Sequence, residues 1–326
     1  MINRKEFLQQ LFGLTAGLAV PSLLPSVDVA EAASDPPGGQ LPRRKLGSTG
    51  VDVPVLGLGG FHVGGAKHEK QARATIDAAL EEGIRFIDTA ESYQNGGSER
   101  WLGAGLKGVR EQVFLMTKTL SPQDRSAESA KRHLEGSLER LQTDRLDLWQ
   151  LHGIDTVEDV RHSFREGGAM QYILEMKEKS VVRYVGVTGH ANPAAHRAAL
   201  EYWDSGWKFD AMQFPLNPVD FHQLSFQHQL LPELLKRGIA VLAMKTSGGG
   251  ALIQKEICSL DQCLRYVLSL PISVAIVGME TPEQVRHNAN VVRTRPAFTA
   301  AEADALLERI LPQVALNLEW YKRESG

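Results

Sequence analysis

The stretch Gly83–Lys107, GIRFIDTAESYQNGGSERWLGAGLK, starts like a strand and ends like a helix. Its apolar pair Phe86–Ile87 is followed at once by an acid, Asp88, and then by a phenol, Tyr93. A loop rich in glycine and small polar residues leads to Ser98-Glu99-Arg100, which reads as the start of the next helix and not as part of any chemistry. Taken alone, the stretch has two readings. It is an ordinary strand-to-helix connection in which Asp88 caps the helix, or it is half of an active site. Which reading holds depends on whether the unit repeats.

The unit does repeat. Strand candidates fall at Val55–Gly59, Phe86–Thr89, Val113–Thr117, Leu146–Leu151, Tyr184–Val187, Ala211–Phe214, Ala240–Met244 and Val274–Val277. Several are nearly continuous apolar runs, as expected of strands buried on both faces. Amphipathic helices separate them. Ala72, Ile76, Ala79 and Leu80 line one helical face that Gly83 closes, and Ala130, Leu134, Leu138 and Leu141 line another. Asn192-Pro193 is an N-cap with proline in the first turn, Leu231, Leu234 and Leu235 precede Gly238, and Leu260 to Leu268 precede Pro271. Thr281–Gln284 and Thr299–Glu302 both fit a capping box. Eight alternations predict an α/β fold, a (β/α)8 TIM barrel forming a single domain over 43–326, with a small hairpin around Gly47–Gly50 before it. The rival, an open dinucleotide-binding sheet, wants G-x-G-x-x-G after its first strand. Here Gly57-Leu58-Gly59-Gly60-Phe61 runs into His62 instead.

Residues 1–33 differ in kind: Arg4 and Lys5, an apolar run from Leu11 to Val27, then Ala30-Glu31-Ala32-Ala33. That is the layout of a cleavable export signal, with Arg4-Lys5 where a twin arginine would stand. The expectation is an exported, periplasmic protein handled by twin-arginine machinery, or a cytoplasmic one if the signal is inactive. Pro21 and Pro25 interrupt the apolar run, so no stable membrane span is expected in the mature chain. Residues 34–42 (SDPPGGQLP) read as an extended linker. A net charge of −3 across 326 residues, without a dense basic stretch, argues against nucleic acid as a partner. Oligomeric state cannot be read. The two cysteines, Cys258 and Cys263, read as near-core helix residues whose side chains diverge, so no disulfide is expected.

A barrel of this kind carries its chemistry on the loops at the C-terminal ends of its strands. Asp88 and Tyr93 follow the second strand, Lys118 ends the third, and His152 ends the fourth. Thr188 and His190 follow the fifth, Gln213 lies on the sixth, and Lys245 follows the seventh. Each has an ordinary use singly, as cap, loop aromatic, solvated strand end or structural histidine. Together, at the same end of successive strands, they suit one chemistry. An ammonium beside a phenol lowers the phenol pKa from about 10, and a carboxylate keeps that ammonium charged. A histidine can orient a carbonyl oxygen while Tyr93 protonates it. No strong nucleophile is present, so hydride has to come from a cofactor. The histidines form neither H-x-H nor H-E-x-x-H, so no metal site is expected. Lys118 as a Schiff-base nucleophile of an aldolase fits Asp88 and Tyr93 less well.

With VPVLGLGGFH, GIRFIDTAESYQNGGSERWLGAGLK, VFLMTKT, LDLWQLHG, YVGVTGH, DAMQFP and PEQVRHNANV in this order, the chain resembles the aldo-keto reductase superfamily from Arg43 onward. The resemblance implies a carbonyl or alcohol substrate (aldehyde, ketone or sugar) and a catalytic tetrad of Asp88, Tyr93, Lys118 and His152. It implies NADP(H) as cofactor, with NAD(H) open because Glu280 stands where a cation would hold a 2′-phosphate and only Arg286 is near. Cofactor contacts are implied at Gly60, Phe61, Thr188, His190, Gln213, Met244, Lys245, Thr246, Gly248, Gln284 and Asn288. Gln213 matches a carboxamide-binding glutamine, and Met244 stands where a nicotinamide-stacking tyrosine is common. The glycines of MKTSGGG permit close approach to a pyrophosphate. No long loop is expected beyond the last helix to narrow the pocket. A nucleotide-binding sensor or partner subunit on the same barrel is the alternative to an enzyme.

Overall fold

Eight parallel strands close on themselves in the computed structural model, which describes residues 39–119 and 124–323. They are β3 (Leu56–Gly59), β4 (Phe86–Asp88), β5 (Phe114–Thr119), β6 (Leu146–His152), β7 (Val182–Thr188), β8 (Ala211–Pro215), β9 (Ala240–Met244) and β10 (Val274–Gly278). Ahead of them, β1 (Arg43–Lys45) and β2 (Asp52–Pro54) form the expected antiparallel hairpin. The ring closes because β10 pairs with β3, Ile276 opposite Gly57, which leaves no edge strand. All eight expected strands are present, with ends shifted by a residue or two. The export-signal expectation falls on residues outside those described.

A period of two decides what each strand shows the barrel interior. Phe86, Phe114, Met116, Leu148, Ala211, Ala240, Leu242, Val274 and Ile276 form one inner cluster, closed at its base by Leu46 and Val53 of the hairpin. Phe86 and Phe114 stack with ring centroids 4.8 Å apart. Two or four residues further along the same strands, the same face carries Asp88, Lys118, Gln150, His152 and Gln213. An apolar floor therefore supports a polar upper layer. The outward residues, among them Ile87, Leu115, Trp149, Leu151 and Met212, join the larger core beneath the helices.

Helix signals are confirmed with two differences. Thr299 and Glu302 make the full capping box, as do Ser259 and Gln262, which the sequence reading passed over. Thr281 caps only one way, because the Gln284 side chain accepts from the Glu280 N–H at 2.7 Å instead. The cysteine reading is corrected. Cys258 lies ahead of the helix Leu260–Leu268, not in it, and both free thiols are buried close enough to shift each other's titration.

One core histidine makes stability depend on pH. His196, in the helix Pro193–Asp204, is fully buried with its ring edge-on to Phe214 and Phe226. Burial lowers its pKa from 6.5 to about 4. The unfolded chain takes up this proton below about 6.5 and the folded one does not, so stability falls as pH drops from about 6.5 to about 4. His196→Leu should lose about 3 kcal/mol less than the parent across that window in urea unfolding. Parallel losses in the two proteins would refute the assignment.

Candidate active site

The C-terminal strand ends bring the four expected residues into one cluster. Lys118 is fully buried, and its Nζ lies 2.5 Å from Asp88 Oδ1. It also donates to the Thr89 carbonyl at 2.8 Å and to the Tyr93 hydroxyl at 3.1 Å. The Tyr93 ring meets His152 edge-on, with centroids 6.0 Å apart, and Phe61 on another side at 5.4 Å. His152 Nδ1 is buried without a hydrogen-bond partner among the described residues.

Electrostatics sort these groups into roles. Burial lowers the His152 pKa well below 6.5, and the Lys118 charge lowers it further, so the ring is neutral at pH 7 and can donate an N–H. Lys118 is raised overall: burial opposes its charge, but Asp88 and Tyr93 outweigh it. Burial pushes the Asp88 carboxyl up while Lys118 pulls it back. The Tyr93 expectation needs correcting. Lys118 does act to lower the phenol pKa, but burial is the larger influence and Asp88 adds to it, so the net direction is up. Tyr93 therefore rests as a phenol, the form that can give a proton.

Sequence reasoning missed the residues that brace this cluster. Ser98 and Glu99 are fully buried in the first turn of the helix Gly97–Gly105. Ser98 Oγ donates to the Gly60 carbonyl at 2.8 Å and lies 2.6 Å from Thr89 Oγ1, tying the ends of β3 and β4 together. Glu99 accepts from Thr117 Oγ1, beside Lys118, and from Arg140 Nε, each at 2.6 Å. The available signal was helical spacing: both share the buried face with Leu102, three and four residues on. Arg125 is a third brace, donating to the carbonyls of His152 at 2.8 Å and Gly153 at 2.7 Å. Between Tyr93 and this helix, Gln94, Asn95 and Gly96 all take positive φ, a turn that re-aims the chain sharply.

The expected cofactor residues lie on the same face, Gly60 and Phe61 just beyond β3 and the others on or after β7 to β10. Thr188 Oγ1 and Asn288 Oδ1 are buried without partners among the described residues, and His190 Nδ1 likewise has none. Lys245 and Gly248 to Gly250 have positive φ, ahead of the short helix Ala251–Gln254. Thr246 is buried, and Met244 is half-buried with its carbonyl taken by Leu216. Gly60 opens the helix Gly60–Gly64 under Ser98, and Phe61 is 50% exposed.

Three expectations meet contacts that the sequence does not show. Gln213 Oε1 accepts from Gln150 Nε2 at 2.7 Å, and its side chain acts on Asp88, because its inward register aims it at the ion pair. Gln284 turns back onto the chain before its own helix. The chain beyond the last helix also does more than expected. Leu318, Glu319 and Tyr321 are buried, Asn217 Nδ2 donates to Glu319 Oε1 at 2.8 Å, and Lys322 Nζ lies 2.6 Å from both Asp220 and Glu319. This strap reaches His190, whose ring centroid is 5.8 Å from that of Tyr321, and Lys245, whose Nζ is 5.7 Å from the Tyr321 centroid.

Known proteins resemble this chain over much of its length. The family model described as the aldo/keto reductase family matches residues 55–263. The uncharacterised oxidoreductase YqkF of Bacillus subtilis is 33% identical over 304 residues, covering 81% of this chain and 95% of its own length. L-galactose dehydrogenase of Arabidopsis thaliana is 28% identical, covering 85% of this chain and 96% of its own. Methylglyoxal reductase YeaE of Escherichia coli is 42% identical over 31% of this chain and 36% of its own. Among solved structures, the holo form of an aldo-keto reductase from Bacillus halodurans superposes with a TM-score of 0.70 at 24% identity, over 83% of this chain and 96% of that one.

Proposed function

The chain belongs to the aldo/keto reductase family and is an NAD(P)-dependent oxidoreductase, and from that premise we propose that it reduces a carbonyl, or oxidises the matching alcohol, with Tyr93 as general acid and base. The observation that carries this reading is the relay Asp88–Lys118–Tyr93, at 2.5 and 3.1 Å, with the His152 ring beside the phenol.

The buried atoms left without partners on the β7 and β10 side, Thr188 Oγ1 and Asn288 Oδ1, suit a bound polar cofactor. So does Lys245, a cation beside three glycines with positive φ, a backbone form suited to anions. Thr188, His190, Lys245, Gly248 and Asn288 are the residues that would hold NAD(P)(H). When bound, that cofactor supplies or accepts the hydride. The protein's own part concerns the proton. Neutral His152 donates a hydrogen bond to the substrate oxygen and fixes its position. Tyr93 passes its phenolic proton to that oxygen, and the Lys118 ammonium stabilises the phenolate left behind. Asp88 holds the ammonium charged and in place; in the alcohol-oxidising direction the same groups take the proton back.

Relatives that reduce methylglyoxal or oxidise L-galactose support a small aldehyde or a sugar as substrate. Nicotinamide preference rests on Glu280. His62 Nδ1 holds its carboxylate at 2.8 Å, and Arg286, the nearby cation, lies 3.6 Å from Glu81. A 2′-phosphate there would meet a carboxylate and no uncommitted guanidinium. Fluorescence titration should give NADH binding at least as tight as NADPH. A strong NADPH preference would overturn the reading of Glu280, and turnover of neither an aldehyde nor a sugar panel with either nucleotide would overturn the proposed activity.

A further inference from the structure

The helix Leu260–Leu268 opens with a reciprocal box: Gln262 N–H donates to Ser259 Oγ at 3.2 Å, and Ser259 N–H donates to Gln262 Oε1 at 3.0 Å. Around such a box the residue before the cap meets the fourth residue of the helix, usually as an apolar staple. In this chain those two positions are Cys258 and Cys263. Both are free and buried, and their side chains lie close enough for each to shift the other's titration.

Among the described residues, Cys258 is the sulfur of the two that a guanidinium hydrogen-bonds. Arg309, from the helix Ala300–Ile310, donates from Nη2 to Cys258 Sγ at 3.8 Å. It is held there by a 2.7 Å bond from Nη1 to the Ile257 carbonyl and a 3.4 Å bond from Nη2 to Gln262 Oε1. The thiols are therefore unequal. At Cys258 the neighbouring Cys263 thiol and Arg309 favour the thiolate and outweigh burial, whereas at Cys263 the contact with Cys258 and burial disfavour it and outweigh Arg309. A thiolate-prone sulfur touching a second thiol is the arrangement of an attacking and a resolving cysteine. Cys258 keeps 4% exposure and Cys263 none, so the oxidant that fits is no larger than a peroxide.

We propose that Cys258 and Cys263 are a redox-active dithiol that a peroxide converts from a non-covalent staple into a reversible disulfide. In the first step the Cys258 thiolate attacks one peroxide oxygen. An S–O bond forms, the O–O bond breaks, and hydroxide leaves with the electron pair, giving a sulfenic acid. In the second step the Cys263 sulfur attacks the Cys258 sulfur. An S–S bond forms, the S–O bond breaks, and the oxygen departs as water with the Cys263 proton. Overall, two thiols lose two electrons and hydrogen peroxide becomes two waters. The proposal does not depend on the hydride-transfer reading.

The test uses the full chain, folded, exposed to hydrogen peroxide, quenched, denatured and alkylated before mass spectrometry. The peptide spanning both cysteines should be lighter by two hydrogens and take up no alkyl group, and dithiothreitol should restore two alkylatable thiols. Two thiols that stay alkylatable would overturn the proposal, and so would oxidation that only adds oxygen to one sulfur. Cys263→Ala should halt the reaction at a sulfenic acid on Cys258 that a dimedone-type probe captures; no capture would count against Cys258 as the attacking thiol. Arg309→Met should slow oxidation by roughly tenfold. An unchanged rate would remove Arg309 from the mechanism and overturn the asymmetry on which the assignment rests.

Discussion

Tyr93→Phe is expected to lower kcat by about a thousandfold, within the range of roughly 10² to 10⁴ that a positioned acid contributes. The substitution removes one oxygen and leaves the ring, so the edge contacts with His152 and Phe61 remain. It also removes only one of the acceptors of Lys118, which keeps Asp88 and the Thr89 carbonyl. The fold should therefore survive, and nucleotide affinity should stay within about twofold, because the loss is confined to the transition state. Single-turnover kinetics with saturating nucleotide check this. A phenylalanine variant that retains most of the parent rate would show that the proton comes from elsewhere. The sign of the Tyr93 shift adds a second expectation. Burial holds the phenol protonated, so carbonyl reduction should be supported throughout the neutral range and alcohol oxidation should gain as pH rises.

Lys118→Met has the largest expected effect on stability as well as on rate. It removes the ammonium from a pair in which both partners are buried and leaves Asp88 without its cation. Breaking a buried pair from one side costs about 3–5 kcal/mol. The rate should also fall by about 10² or more, since nothing else in the cluster stabilises the phenolate. Adding Asp88→Asn separates the two effects. The double variant no longer buries a lone carboxylate, so denaturant unfolding should show it recovering most of the lost stability. Its activity should stay lost. If the double variant were less stable than Lys118→Met alone, the carboxylate would not be the source of the penalty.

The cluster is legible in the sequence because Asp88, Lys118 and His152 lie at strand ends and Tyr93 on the loop just after one, and a closed parallel barrel sends all such ends to one face. A period of two carries this further. The spacings Phe86 to Asp88, Phe114 to Lys118, Leu148 to His152 and Ala211 to Gln213 are all even, so an apolar floor and a polar ceiling follow from parity once the strands are known. The same parity places Gln213 within reach of Asp88, a contact the sequence reading did not foresee. The register between β4 and β8, strands on opposite sides of the ring, is set by barrel closure and not by either segment alone.

The sequence by itself determined the eight-fold alternation and with it the barrel, it set Asp88, Tyr93, Lys118 and His152 at one end of successive strands, and its motifs carried the family resemblance. These depend on local periodicity and on residue types at strand ends, which a linear chain displays directly. Tertiary structure alone decided the rest. It turned Ser98-Glu99 from a helix start into a brace, because Thr117 and Arg140 reach Glu99 from other elements. It raised Tyr93 where charge alone would lower it, because burial depends on everything packed around the ring. It folded Leu318–Lys322 back onto the loops after β8 and β9 through Asn217, Asp220 and Lys245. It also brought Cys258 and Cys263 together by starting the helix between them. Each of these is a contact between segments far apart in sequence, or a boundary fixed by one, and no periodicity within a segment encodes its partner.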